Sequence, residues 1–170
     1  MPDVTVVNPA AGWVKLAEAS TVKLGEGGKH GVSVLNTTGS LGTWRWLMWQ
    51  SKRKGTFFCE IAAYPVGKTP TGLARVVTDK EGGAWDGLSM GAPDAAGLAV
   101  KGAVATTVDG FAKPGDGASD GGKLPRLFGK DVPANDDDTA HSVWADNGEA
   151  RWLVDLQKPV DVARVNTYSW

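Results

Sequence analysis

The final stretch of the chain, RWLVDLQKPVDVARVNTYSW (residues 151–170), decides the fold. It contains two runs of alternating apolar and polar residues, separated by QKP at residues 157–159. In the first run Trp152, Val154 and Leu156 share one face. The second run changes phase near Ala163-Arg164, and its apolar positions are Val160, Val162, Val165, Tyr168 and Trp170. Such alternation predicts half-buried strands, whose partners must come from earlier in the chain or from another molecule.

The composition favours one globular domain built from short strands. The chain has 170 residues, of which 42% are hydrophobic, and its 23 Gly and 9 Pro favour turns over long helices. It also carries 8 Trp, which suit either core packing or exposed binding surfaces. We therefore expect an all-β domain.

Charge and hydropathy exclude several classes of partner. A formal net charge of -1 gives no field that would direct the protein to nucleic acid. No apolar run approaches the roughly 20 residues that a membrane-spanning helix needs, so no membrane insertion is expected. The beginning of the chain does not resemble a signal peptide, and the lone Cys59 excludes an internal disulfide.

Further strands are predicted along the chain. The patterns place them at residues 3–8, 13–17, 31–35, 43–50, 56–64 and 104–108, with a weaker strand at 73–78. Both faces of residues 43–50 are largely apolar: Trp44, Trp46 and Met48 are expected on one face, and Arg45, Leu47 and Trp49 on the other. This predicts a central strand. The basic run at residues 52–54 is expected at a solvated, hairpin-like connection to the next strand.

The C-terminal part resembles the opening half of a discoidin domain, also called the coagulation-factor type C domain, of the galactose-binding-like superfamily. That half has an acidic turn, a later Trp, and a strand pair with the pattern W-(L/I)-x-(V/I)-D-L-G-x-x-x-x-(V/I). The matching pieces here are LFGKD at residues 127–131, Trp144, and residues 152–156 with 160–170.

The N-terminal part resembles the closing half of the same domain. The matching pieces are GWVKL at residues 12–16, GVSV at 31–34, LGTWRWL at 41–47 and GTFFCEI at 55–61. The resemblance therefore implies a discoidin-like jelly-roll β-sandwich in which the closing half precedes the opening half. Residues 1–64 would form the closing half, residues 65–103 a connector and residues 104–170 the opening half of one domain.

One family strand, often preceded by R-x-P-Q, has no counterpart here, although residues 3–8 could take its place. Three accounts follow: a circularly permuted domain, a fragment of two tandem domains, or a sandwich completed by a partner chain. In the permuted domain Trp170 is expected near the N-terminal segment, against strands such as residues 43–50. In the last account an open strand edge would accept a strand from another copy.

The resemblance implies a non-catalytic module of an extracellular or cell-surface protein that binds carbohydrate or a glycoconjugate. The alternative is a structural, self-assembling module whose incomplete sandwich is completed by another copy of the chain. For the first function, aromatic rings could stack on sugar rings while polar neighbours bind the hydroxyl groups. The candidate ligand-binding residues are Trp144, Trp85, Asn147 and Glu149, and core packing is the competing explanation for each Trp.

A structural calcium ion is the cofactor that the resemblance implies. Calcium binds six to eight oxygen ligands, and carboxylates and amides are concentrated at residues 131–139. The candidate ligands are Asp131, Asp136, Asp138, Thr139 and, from the last strand of the family, Glu60. The alternative is a solvated acidic turn, which is favoured by the change of the family's D-G-D to GKD at residues 129–131.

Motifs for catalysis are absent from the sequence. It has no nucleophile elbow, phosphate loop or His-Glu-x-x-His helix. His30 and His141 lack metal-ligand spacing, and Asp146 with Glu149 has the character of a solvated loop rather than of a glycosidase pair. We therefore expect no enzymatic activity.

Overall fold

The computed structural model describes residues 9–20, 30–36, 38–51, 56–67, 76–77, 104–107, 127, 143–145 and 150–169. Within these ranges the protein is mostly β-strand, with a short 3-10 helix at Pro9–Ala11. The strands are β1 (His30–Leu35), β2 (Thr43–Ser51), β3 (Thr56–Pro65), β4 (Val76–Val77), β5 (Val104–Thr107), β6 (Val143–Ala145) and β7 (Ala150–Ser169). The all-β prediction is confirmed for the described residues.

Strand β7 is the hub of the sheet. Its first part, residues 150–161, pairs antiparallel with β2, and residues 152–155 also pair with β5. Its second part, residues 162–169, pairs antiparallel with β3 and, over residues 165–169, with β1. β6 extends the sheet antiparallel to β3, and β4 extends it parallel to β1. The final stretch therefore finds its partners in both the N-terminal and the C-terminal parts of the chain.

The ladder between β2 and β7 is interrupted where the sequence predicted a break. Trp46 lies opposite Asp155, whereas Trp44 lies opposite Val160, so four residues of β7, 156–159, face Arg45 alone. Gln157 has φ 66°, and Pro159 has no N–H to donate to a ladder. We call residues 156–159 the β7 bulge.

A second irregularity explains the change of phase in β7. Tyr64 lies opposite Arg164, whereas Pro65 lies opposite Val162, so Ala163 is the extra residue on β7. An extra residue exchanges the two faces of a strand from that point onward. The phase change predicted near residues 163–164 is confirmed.

Both parts of β7 contribute to one hydrophobic core. The buried cluster draws on β1, β2 and β3 as well as β7, and its members are Val32, Val34, Leu41, Leu47, Ile61, Ala63, Leu127, Val143, Trp152, Val154, Leu156 and Val162. Partly buried Trp44 and Trp49 pack against this cluster. Complete burial of a side chain of this size stabilises a fold by about 1.5–3 kcal/mol, so this cluster holds the two parts of β7 together.

Several predictions about individual strands were wrong. Residues 13–18 form no strand, and the pairing near them is a single bridge at Ala19. Among the described strands β2 has one neighbour, β7, whereas β7 has neighbours on both edges, so the central strand is β7. The described parts of β2 and β3 are not paired as a hairpin, because each pairs with a different part of β7.

The face assignment of the tryptophans in β2 was also wrong. The irregularity between Trp44 and Trp46 breaks the alternation, and Trp44 packs against the core together with Trp49. Trp170 lies outside the described residues. Its neighbour Ser169 pairs with His30 and Phe58, on β1 and β3 rather than on β2.

Candidate functional site

The predicted ligand-binding residues lie mostly outside the described residues. Trp85, Asn147 and Glu149 belong to the part of the chain that is not described. The backbone of Trp144 lies in β6, opposite Phe57 of β3. Their roles remain predictions.

The predicted calcium ligands also lie mostly outside the described residues. Asp131, Asp136, Asp138 and Thr139 lie outside the described residues, and the backbone of Glu60 lies opposite Tyr168 in the ladder between β3 and β7. The described ranges contain no group of three or more His, Cys, Asp or Glu residues that could hold a metal ion. They also contain no helix of sufficient length and apolarity to cross a membrane.

A different set of side chains comes together at the β7 bulge. Arg45 is the residue opposite the bulge, Trp46 follows it on β2, and Asp155 is the β7 residue paired with Trp46. Gln157 lies within the bulge itself. We call Arg45, Trp46, Asp155 and Gln157 the bulge site. β-bulges recur next to binding and active sites because they redirect side chains away from the regular ladder.

Arg45 and Asp155 form an ion pair within the bulge site. Arg45 Nε donates a hydrogen bond to Asp155 Oδ1 at 2.9 Å, and Arg45 Nη2 donates to Asp155 Oδ2 at 3.1 Å. The backbone N–H of Gln157 donates to the same Oδ1 at 2.8 Å. The two-point geometry fixes the plane of the guanidinium group relative to the carboxylate.

The guanidinium group also lies over an aromatic ring. Arg45 Cζ is 4.8 Å from the centre of the Trp46 ring, within the range of a cation–π contact. Trp46 is half-buried, while the side chain of Arg45 is 46% exposed and that of Asp155 only 14% exposed. The site therefore presents Arg45 to solvent, whereas Asp155 is largely shielded.

The ion pair keeps both groups charged at neutral pH. Hydrogen bonding from Arg45 lowers the pKa of Asp155 and outweighs desolvation, which raises it, and a weaker effect of the Gln157 N–H lowers the pKa further. The hydrogen bond to Asp155 raises the pKa of Arg45. The pair is therefore close to neutral as a unit.

The other end of the bulge is held by the loop between β1 and β2. Ser40 Oγ donates to Asp161 Oδ1 at 2.5 Å and accepts the backbone N–H of Gly42 at 3.0 Å. The backbone of Val162 accepts a bond from Leu41 N at 2.7 Å and donates one to Gly42 O at 2.9 Å. The loop therefore fixes β7 directly after the bulge.

An Asx turn shapes this loop from within. Asn36 Oδ1 accepts bonds from the backbone N–H of Thr38 at 3.1 Å and from its hydroxyl at 2.8 Å. Asn36 Nδ2 donates to the carbonyl of Ser40, and the single hydroxyl proton of Thr38 is shared between that carbonyl and Asn36 Oδ1. These local bonds position Ser40 for its contact with Asp161.

Trp44 requires glycine at position 42. Its indole N–H donates to Leu41 O at 2.8 Å, which lays the ring over Gly42. A Cβ at Gly42 would lie 2.9 Å from two atoms of that ring, and the φ of Gly42 is 109°. Both the backbone conformation and the available space therefore exclude a side chain here.

The bulge site was not predicted from the sequence, although part of its signal is visible there. Arg45 and Asp155 are 110 residues apart, and no local pattern indicates that they meet. The interruption QKP at residues 157–159 did predict irregular backbone, and irregular backbone beside paired strands is a common position for functional side chains.

The bulge site offers an indole ring, a guanidinium group with a fixed plane and an exposed edge, and a carboxylate. This chemistry suits non-covalent recognition of a ligand with an apolar face and several hydrogen-bonding groups. No protein-family model, curated protein or solved structure matches the chain.

Proposed function

We propose that this chain is a non-catalytic carbohydrate-binding module with a discoidin-like, circularly permuted jelly-roll fold, acting in an extracellular or cell-surface protein. The observation that carries the proposal is the bulge site, in which half-buried Trp46 lies under the guanidinium group of Arg45 and Asp155 binds the side edge of that group. Sugars combine C–H faces with hydroxyl groups, and an aromatic ring beside planar hydrogen-bonding groups complements both.

The backbone at Gln157 supports the discoidin-like part of the proposal. The family pattern has Gly after D-L, whereas this chain has Gln157 after Asp155 and Leu156, and Gln157 adopts φ 66°. Glycine is the residue that adopts such a conformation most readily. The chain therefore retains the backbone conformation that a family glycine would favour, even though the residue differs.

Strand pairing supports the permuted order. β1, β2 and β3 come from residues 30–65 and pair with β7, which lies at 150–169 and also pairs with β5. Strands from the closing and the opening half thus share one sheet, as expected when both belong to one domain.

A glycan array followed by titration calorimetry tests the proposal. We expect wild type to bind at least one glycan. Trp46→Ala should reduce the affinity about 10-fold or more, because it removes the aromatic ring that contacts the sugar. Trp144→Ala is the comparison variant, and circular dichroism establishes that each variant is folded.

Two results would change the proposed site or reject the proposed function. Loss of binding in Trp144→Ala with full binding in Trp46→Ala would transfer the site to the residues first predicted from the sequence. Absence of binding across a broad panel, with and without added calcium, would reject the carbohydrate function. A concentration-dependent oligomer in light scattering would then favour the self-assembling alternative.

A further inference from the structure

The exposed edge of Arg45 remains available to a ligand. A guanidinium group carries five N–H donors, and the pair with Asp155 uses one on Nε and one on Nη2. Within the described part of the chain the side chain of Arg45 makes no further hydrogen bond. The two N–H groups of Nη1 and the second N–H of Nη2 are therefore still available.

The geometry of these donors selects one kind of chemical group. Asp155 occupies the side edge of the guanidinium plane, formed by Nε and Nη2, which leaves the end edge formed by Nη1 and Nη2. Two parallel N–H groups at such an edge match the two oxygens of a carboxylate. A hydroxyl group offers one uncharged oxygen and cannot make the same charge-assisted, two-point contact.

The charge of the surroundings leaves room for an anion. Asp155 is already compensated by Arg45, and Lys158 lies exposed within the β7 bulge. The side chain of Asp161, the next carboxylate along β7, accepts a hydrogen bond from Ser40. Lys158 and Asp161 carry opposite formal charges, so they cancel, and the preference for an anion depends on the free edge of Arg45 alone.

We propose that the bulge site is selective for carboxylated saccharides, of the uronic-acid class, whose carboxylate binds the end edge of Arg45 while the sugar ring lies against the part of Trp46 that the guanidinium group leaves uncovered. This inference rests on the proposed carbohydrate function and specifies its ligand. Asp155 and the Gln157 backbone act as positioning groups, because they hold the guanidinium plane that meets the ligand.

A matched pair of polysaccharides tests the selectivity. Binding of polygalacturonate is compared with binding of its carboxyl-reduced form, which keeps the sugar backbone and removes the charge. We expect wild type to prefer polygalacturonate by about 10-fold or more, as a charge-assisted, two-point contact implies. The preference should disappear in Arg45→Lys, which keeps the charge but not the paired donors, and persist in Lys158→Gln.

Each outcome decides a different point. Equal binding of the two polysaccharides overturns the selectivity and leaves the carbohydrate function in place, whereas binding of neither, with none on the wider glycan array, overturns both. A preference that survives in Arg45→Lys overturns the role of the guanidinium edge. If Arg45→Lys does not fold, the guanidinium N–H resonances of wild type decide: they shift with polygalacturonate if the inference is right and stay unchanged if it is wrong.

Discussion

Arg45 and Asp155 are 110 residues apart in the sequence and form a two-point ion pair between β2 and β7, beside the β7 bulge. The ion pair links β2 to β7 directly beside the β7 bulge. Since Asp155 also accepts the Gln157 N–H, one carboxylate sets both the backbone of the bulge and the orientation of the guanidinium group above it.

The ion pair makes a pH-dependent contribution to stability. The folded-state pKa of Asp155 is lowered, so its contribution is fully present above the unfolded-state value of about 4 and is lost as pH falls through the folded-state value. We expect the Tm difference between wild type and Asp155→Asn to narrow below about pH 4. A difference that stays constant from pH 6 to pH 2 would contradict the assignment.

Replacement of Gln157 by glycine should stabilise the protein. A left-handed conformation costs a non-glycine residue about 1–2 kcal/mol, and glycine removes this strain from the folded state. Glycine also makes the unfolded chain more flexible, which stabilises the unfolded state and offsets part of the effect. We expect Gln157→Gly to raise the free energy of unfolding by about 0.5–1 kcal/mol in urea denaturation. Lys158→Gly is the matched control, and equal effects of the two substitutions would argue against a left-handed residue at 157.

Gly42 and Gly39 provide a paired test of the loop before β2. Both have positive φ, but a Cβ at Gly39 meets nothing within 4 Å, whereas one at Gly42 meets the Trp44 ring at 2.9 Å. Gly39→Ala should cost about 1 kcal/mol from backbone strain, and Gly42→Ala at least about 2 kcal/mol, from strain plus overpacking. Thermal denaturation that ranks the two variants in the reverse order would refute the Trp44 contact.

Leu156 links the bulge to the core. It is 1% exposed and belongs to the core cluster, although it is the first residue of the β7 bulge. Leu156→Ala should lower the free energy of unfolding by about 2–5 kcal/mol. Val66→Ala, at a position 50% exposed, should change it by less than about 0.5 kcal/mol. Similar losses in the two variants would show that Leu156 is not buried.

The sequence predicted much of the strand pattern, because alternation is a local signal. β1, β2, β3 and β5 begin and end within a few residues of the predicted positions. The interruption at 157–159 and the phase change at 163–164 were also visible, since proline and a shift of period mark them directly.

Pairing and the burial of polar groups could not be predicted in this way. Ser33 lies opposite Asn166, and both are buried, as is Arg164. A period of two predicts that such polar residues face solvent, yet this face of β7 is covered as well. Long-range pairing between strands more than a hundred residues apart leaves no trace in local periodicity, which is why the bulge site was missed.

An NMR titration tests most directly whether the ligand binds at the bulge site. Oligogalacturonate added to ¹⁵N-labelled protein should shift the backbone amide of Gln157 and the indole N–H of Trp46 most strongly, with smaller changes along the rest of β7. Shifts concentrated at Trp144 and Trp85, with the Gln157 amide and the Trp46 indole N–H unchanged, would contradict binding at the bulge site.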